Sequence, residues 1–554
     1  MTRKGIEVTR SKMMGPIENR RLQRKTDSSH HCSKGWRVLS LGVALMLFVA
    51  SHLVAGTDPS IHTVCPSGCD FSTIAAGIAN SNPGDIVEVQ VVGTHTEGPI
   101  QVFKNITIEG LGESTTVVQQ APTLAQADRS VFVVWLDATV TIRDMTLRHG
   151  RDDLGGCIAV LSGELTLDHV TVRNCDGDTG GAILNRGRLT LLHSTVLQSS
   201  ATEGGGIYNE LDADLSLIRS VVQSNESTSS GGGLFNRGLT YVSHSWFLQN
   251  QGGDSGGAIT SDYTGQMELQ SSHVAMNSVS TSFGTGGGIF NHGELTVRDS
   301  SVSDNSAAGG GGFFLMTDEP ASISGTTFSG NTAQTGAGLY VLSPLDLVNS
   351  TVSGNQASDD GGGIYHDLHL LRLANVTLTE NTADSDHDDS GNGGGIFTSG
   401  GEARLLNSLI AGNIDGSGIF EVRGPDCYGD LASDGYNLIG SLGRLGPIND
   451  PVCHITGATT GNTIGLEPEL GPLAANGGPT LTHALQQGSP AINTGDFAGC
   501  LAHDGSLLDR DQRGYPRPDR CDKGAFEHGA ATPDLIFEDG FESENTWAWS
   551  SEEP

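Results

Sequence analysis

The chain has 554 residues and a net charge of −34, and glycine supplies 78 of its positions. Glycine at about twice its usual share, with only 17% charged and 5% aromatic residues, excludes helical bundles and coiled coils, which need long runs of alanine, leucine, glutamate and lysine. The glycines come in doublets and triplets rather than at every third position, which excludes collagen, and so acidic a surface repels phosphate backbones and excludes a nucleic-acid binder.

A basic stretch ending at Lys34 and Arg37 leads into the apolar run 38–50 and then small residues up to Gly56. That order reads as a secretory signal over 1–56, with Met13 or Met14 as alternative starts and an uncleaved anchor as the other reading. The apolar run is shorter than the ~20 residues of a membrane span. No second run of spanning length follows, so an exported mature chain without a membrane span is expected. Residues 1–56 carry ten Lys/Arg and three Asp/Glu, which leaves 20 basic and 61 acidic residues beyond them.

Cys32 lies in the leader. The remaining eight cysteines fall in near-neighbour pairs: Cys65 and Cys69, Cys157 and Cys175, Cys427 and Cys453, Cys500 and Cys521. An even number of locally paired cysteines in an exported chain reads as disulfides, with the pairing taken from proximity. Zinc is the alternative, but the Cys65/Cys69 pair has no second close-spaced Cys or His pair of the usual spacing.

Within 71–80, Ile74, Gly77 and Ile78 keep helical spacing. Pro83-Gly84-Asp85 then marks a turn, and strands are expected at 86–92 and 105–109. A short helix here would cover the open apolar end of whatever stacks behind it.

What stacks behind it is a repeat. From 155 to 413 one line recurs: a glycine doublet or triplet, an aliphatic residue, often an aromatic, often Asn-x-Gly, an alternating apolar strand, then Val/Phe-x-x-Asn. Gly286, Gly287, Gly288, Ile289, Phe290, Asn291, His292, Gly293, Glu294, Leu295, Thr296 and Val297, closed by Val302 and Asn305, show it in full. The closing position falls at Cys175, Ser199, Asn225, Asn250, Asn277, Asn305, Asn331, Asn355, Asn381 and Asn413, with spacings of 24, 26, 25, 27, 28, 26, 24, 26 and 32. A period in the mid-twenties means one unit stacked on the next. The two-residue alternation inside each unit, without a helical stripe, makes the unit a coil of short parallel strands. The expected fold is all-β: a single-stranded right-handed parallel β-helix solenoid over 57–415 with a short N-terminal capping helix. Nine steps at ~4.8 Å span about 43 Å. The asparagines are expected to line up as a buried amide file.

Four resemblances follow from the sequence. The small helix, Pro83-Gly84-Asp85 and Lys104-Asn105-Ile106-Thr107-Ile108-Glu109-Gly110 resemble the entry of pectate-lyase-like β-helix proteins. The repeats, with Gly-Gly-Ala-Ile at 180–183 and 256–259 and Phe-x-x-Asn at 247–250 and 328–331, resemble those of polymorphic outer membrane proteins. That likeness implies a surface-exposed, adhesive role. The chain lacks their long C-terminal run of amphipathic strands, so self-translocation is not implied. Residues 416–530 resemble the choice-of-anchor Q domain through Gly471-Pro472-Leu473-Ala474-Ala475-Asn476-Gly477-Gly478-Pro479-Thr480-Leu481-Thr482-His483, Gly488-Ser489-Pro490, Asp511-Gln512-Arg513-Gly514 and Cys521-Asp522-Lys523-Gly524-Ala525-Phe526-Glu527. What this implies is an exported, cell-surface protein. The acidic tail 531–554, with Phe537, Gly540, Phe541 and Trp547, resembles short tails of exported bacterial proteins, and a solvated acidic tail is the plainer reading.

Candidate binding residues lie after the inward aliphatic: Tyr208, Phe235, Phe290, Phe314, Tyr340, Tyr365 and Phe397. Stacked coils place them in one outward column that either binds sugar rings or a partner or stiffens the turn by stacking on itself. A second column, His169, His193, Arg219, His244, Ser271, Asp299, Asn349, Asn375 and Asn407, reads as solvated or hydrogen-bonded positions, since Arg219 interrupts the histidines. Asp384, Asp386 and Asp388, with Asp389, sit in an insertion and suit calcium by their oxygen donors. They lack the Gly and distant Glu of an EF-hand, and a solvated acidic loop is the alternative. No cofactor other than that calcium is expected.

No grouping for catalysis stands out. The expected function is therefore binding, adhesion or scaffolding at the cell surface, toward a glycan or a protein. A carbohydrate-active enzyme, either polysaccharide lyase or glycoside hydrolase, is the alternative.

Overall fold

A computed structural model describes residues 58–417, 422–445, 451–518 and 520–530. The expected leader at 1–56 and acidic tail at 531–554 lie outside the described residues. Among those residues the only helices are Ile74–Asn80 and the 3-10 turn Leu124–Gln126. Up to Ile464 the chain winds as a right-handed parallel β-helix.

One coil shows the design. The strand Ile289–Asn291 is followed by the longer Glu294–Arg298, then by the short Ser301–Ser303. Each pairs in parallel with its equivalent one coil later: Ile289 with Phe313, Val297 with Ile323, Val302 with Phe328. Alternation sends Ile289, Leu295, Val297 and Val302 inward, all essentially unexposed. Because the register is kept, like side chains pile up in columns and the core is a stack of aliphatic layers. The expected period and its register are borne out.

Polar files hold the corners. The residue between the long and short strands is left-handed in coil after coil (His169 φ 52°, His193 47°, Arg219 49°, Asp299 50°, Asn407 47°). Asn, Asp and His tolerate that region better than most residues, which explains the polar composition of this column. The next residue forms a serine file: the N–H of Ser194 donates to Ser220 Oγ at 3.2 Å, that of Ser220 to Ser245 Oγ at 3.0 Å, and that of Ser245 to Ser272 Oγ at 3.1 Å.

The following corner holds the asparagine file. Asn305 donates both its backbone N–H and its Nδ2 to Asn331 Oδ1, each at 3.0 Å, and its own Oδ1 receives the same two groups of Asn277 at 3.0 and 2.9 Å. The pattern runs from Asn225 to Asn413. It begins at Cys175, whose N–H donates to Ser199 Oγ, and ends on Asp426.

Glycine is required where the coil closes. Gly231 has φ +66°, and a Cβ there would lie 2.4 Å from Leu234 O; one on Gly232 would meet Gln251 O and Gly257 O of the next coil, also at 2.4 Å. The first glycine makes the turn, and the second lets coils approach.

The entry is capped as expected. Ile74 and Ile78 are buried over the first coil, and a Cβ on Gly77 would touch Val64 and Val87 at 3.1 Å. Glu97 receives the N–H groups of Ile74 and Ala75 at the helix start, while Lys104 Nζ donates to Ile78 O and Ser81 O at its end. The carboxylate and ammonium thus sit at the helix ends that favour their charges. All four expected disulfides are closed: Cys65–Cys69, Cys157–Cys175, Cys427–Cys453 and Cys500–Cys521.

The coil continues past 415, through Cys427–Gly435, Leu438–Ile439, Cys453–Gly457 and Thr463–Ile464. The chain then makes an antiparallel pair, Leu470–Ala474 with Thr482–Leu485, and runs back along the flank it has already built.

Candidate functional site

Two flanks carry the candidate binding residues. On the first, the aromatic column is in register as expected: Phe290 beside Phe314, then Tyr340, Tyr365, Phe397 and Tyr428. Ring centroids along it are 5.6, 4.6, 4.5, 5.3 and 4.9 Å apart. Tyr208 and Phe235 form a separate pair at 5.1 Å, and Thr260 occupies the coil between Phe235 and Phe290. The rings turn their faces to one another: contrary to the expected outward column, Tyr208, Phe235 and Phe314 are buried by their stacked neighbours, and of the expected residues only Phe290, Tyr340, Tyr365 and Phe397 leave edges and hydroxyls partly to solvent. Burial, followed by the charge of and hydrogen bond with the neighbouring Tyr365, pushes the Tyr340 hydroxyl up to about 12, so it stays protonated.

The second flank is built by the short strands. The returning C-terminal segment covers its far part through the residues singled out in the sequence. Thr327 Oγ1 donates to Leu481 O at 2.6 Å, Thr351 Oγ1 to Gln512 Oε1 at 2.6 Å, and the Ala525 N–H to Thr377 Oγ1 at 3.0 Å. His483 donates from Nδ1 to Gly471 O at 2.7 Å. Burial pushes its pKa down, so its Nε2 accepts from Ser353 Oγ at 2.7 Å. Leu409 and Leu438 pack with Leu485, Ala491 and Phe526. Behind this contact the Arg513 guanidinium lies between the Tyr515 and Phe526 rings and pairs with Asp511 at 2.7 Å. Arg517 pairs with Glu527 at 3.1 Å. The Asp-Gln-Arg-Gly and Asp-Lys-Gly motifs are thus a staple between segment and coil.

The polar corner column changes with this cover. Where the flank is open it holds His169, His193, Arg219 and His244. Under the segment it holds Asn349, whose Nδ2 donates to Arg510 O, Asn375, which donates to Leu501 O, and Asn407, which donates to Asp522 O. At the open end Asp168 Oδ1 lies 2.9 Å from His169 Nδ1 and 3.6 Å from His193 Nδ1, with the two rings stacked at 4.9 Å.

Between the histidines and the covered part lies a feature the sequence reading missed. Trp246 and His273 occupy the same outward register of consecutive short strands and stack at 3.8 Å and 14°. Trp246 is 42% exposed, and burial pushes His273 down, so its ring is neutral at pH 7. Ser301 follows in register, then Thr327 under the edge of the segment. Aligning the repeats on their closing asparagines would have placed Trp246 against His273.

Asp384, Asp386 and Asp388 are brought together by the insertion, one carboxylate oxygen of each within 4.8 Å of the others. Asp359 and Asp360, one coil earlier, were not anticipated there. Burial raises Asp359, and the charges of Asp388, Asp386 and Asp384 raise it further. Burial pushes Asp360 up to about 6.

The family described as the right-handed beta helix region matches residues 254–414. Among solved structures, pectate lyase Pel9A is similar at 12% identity over 85% of this chain and 97% of that one, with a TM-score of 0.31. XylC in complex with xylose is similar at 10% identity over 84% and 98%, with a TM-score of 0.35. The A-module of mannuronan C-5 epimerase AlgE6 of Azotobacter vinelandii is similar at 13% identity over 71% and 93%, with a TM-score of 0.28. No curated protein matches the chain. The coil geometry and the matched repeat region make this a right-handed parallel β-helix protein.

Proposed function

We propose that the protein is an exported, cell-surface-associated β-helix scaffold that binds a glycan on its open flank. The observation that carries the binding role is the Trp246–His273 stack: an exposed apolar indole surface with one ring face on His273, in register with Val221 before it and Ser301 beyond, on the part of the flank that the C-terminal segment leaves open. Such a face suits the apolar side of a sugar ring. Export is supported by four closed disulfides, which persist in oxidising compartments, and by the signal-like leader. The resemblance of 416–530 to the choice-of-anchor Q domain and of the repeats to polymorphic outer membrane proteins points the same way. The aromatic column on the other flank, with its edges and tyrosine hydroxyls outward, is a second surface for a glycan or protein partner.

The test is a glycan panel probed with the wild-type chain, with Trp246→Ala, and with Tyr340→Ser combined with Tyr365→Ser. Loss of binding in Trp246→Ala alone places the site on the open flank. Loss only in the tyrosine variant moves it to the column, and glycan-independent capture by cells points to a protein partner. Incubation with acidic polysaccharides, with and without calcium, watches for unsaturated products by ultraviolet absorbance. Product formation would replace this reading with that of a carbohydrate-active enzyme.

A further inference from the structure

The coil from Asn381 to Asn413 is 32 residues long, and its extra length carries the aspartate triplet. Asp384 is the inner member and is fully buried. Its Oδ1 accepts the Asp388 N–H at 2.9 Å. Its Oδ2, equally shielded from water, has no donor within hydrogen-bond reach. A buried carboxylate oxygen without a donor costs the full desolvation of that atom unless a ligand supplies the missing partner. Neither this oxygen nor the other two carboxylates answers to an arginine, lysine or histidine, since among the described residues none of the three forms an ion pair. Asp386 and Asp388 are exposed at the rim, so the site is open to solvent on one side and closed by Asp384 on the other.

We propose that Asp384, Asp386 and Asp388 bind one calcium ion that ties the insertion to the side of the coil. The donors are all hard oxygens, which suit calcium or magnesium and not zinc or copper. Three carboxylates on a short loop leave the remaining positions to water and backbone carbonyls, a mixed and irregular set that calcium accepts and magnesium, with its strict octahedron, does not. The ion supplies the partner that Asp384 Oδ2 lacks and offsets the charge of three carboxylates held within a few ångströms.

The experiment is calcium titration of the full chain by calorimetry in about 0.15 M salt, where diffuse attraction to an acidic surface is screened. Terbium luminescence serves as a second readout. One saturable site is expected, in the range of roughly 10⁻⁴–10⁻³ M typical of extracellular modules. Asp386→Asn combined with Asp388→Asn, both at exposed positions, weakens it at least about tenfold by removing ligand charge. Asp168→Asn, in the histidine cluster, leaves it unchanged. Calcium also slows proteolytic nicking within 384–392 in the wild type and not in the double variant. Absence of saturable binding, equal binding of magnesium, or full retention of binding in the double variant each overturns the proposal.

Discussion

Asn305→Ala tests whether the amide file holds the coils together. The residue is fully buried, and four contacts leave with its carboxamide: those from Asn277 N and Asn277 Nδ2, and those to Val274 O and Asn331 Oδ1. Two of the losses are softened. Asn277 Nδ2 still reaches Phe247 O and Ala275 O, and Asn331 Oδ1 still receives the Asn305 N–H. The Asn277 backbone N–H is left facing a void, which costs ~1–3 kcal/mol, and the void itself adds about 1 kcal/mol. The expected loss is therefore about 2–4 kcal/mol. Because coils of a solenoid can open locally, the measurement is hydrogen exchange resolved to the peptide containing Asn277, alongside urea denaturation. At constant fold, exchange there should quicken by roughly 30-fold or more, with coils near Ile106 unaffected. Asn305→Asp should cost more than alanine, because it sets a second acceptor against Asn331 Oδ1 and Val274 O. A change below about 0.5 kcal/mol with unaltered exchange, or an aspartate variant as stable as wild type, would refute the reasoning.

Three further outcomes are expected. Asp426 is pushed up to about 6 by burial, above the ~3.9 of an unfolded chain. Its contribution is complete below ~3.9 and lost as pH rises to about 6, worth up to about 3 kcal/mol. Urea midpoints should therefore rise as pH falls from about 7 to about 4, and less steeply in Asp426→Asn. Gly231 and Gly354 share a φ of +66°, yet an added Cβ meets Leu234 O at 2.4 Å in the first and nothing within 4 Å in the second. Gly354→Ala should cost only the ~1–2 kcal/mol of the left-handed backbone, and Gly231→Ala clearly more; equal melting shifts would contradict the packing role of the doublet. Replacing Cys157 and Cys175 by serine opens a loop with a sequence separation of 18 and should lower stability by about 3 kcal/mol. Thiol titration of the unfolded wild type, which should find no reactive Cys157 or Cys175, checks the starting state.

How much of this was legible follows from the range of each interaction. The period, the inward aliphatics and the asparagine file could be read because one coil repeats its pattern within about 30 residues, and alignment along the chain becomes alignment in space. The disulfides were legible for the same reason, each joining neighbours in sequence. The serine file was missed because serine has so many other uses in turns, and the histidine–asparagine column was read as polar without its cause, a left-handed corner. The docking of the C-terminal segment could not be read at all. Gln512 reaches Thr327 across 185 residues and Thr351 across 161, and neither partner carries a local sign of the other. Asp359 and Asp360 join the Asp384 neighbourhood only once coils are stacked, which is why the insertion looked like an isolated loop.

The buried amide file has a head and a tail. Every link passes its hydrogens toward the C-terminal coil, starting from the Cys175 N–H and finishing on a residue that, when ionised, can only receive them: Asp426 takes Asn413 on one oxygen and the Ser441 N–H on the other. Duplicating an interior coil preserves that polarity at both seams, because each asparagine presents the same two faces as its neighbours. Adding a further asparagine to the file beyond Asp426 would set acceptor against acceptor. The amide file can therefore be lengthened from its middle but not past Asp426, so added coils that carry the file should enter as whole copies of the interior unit.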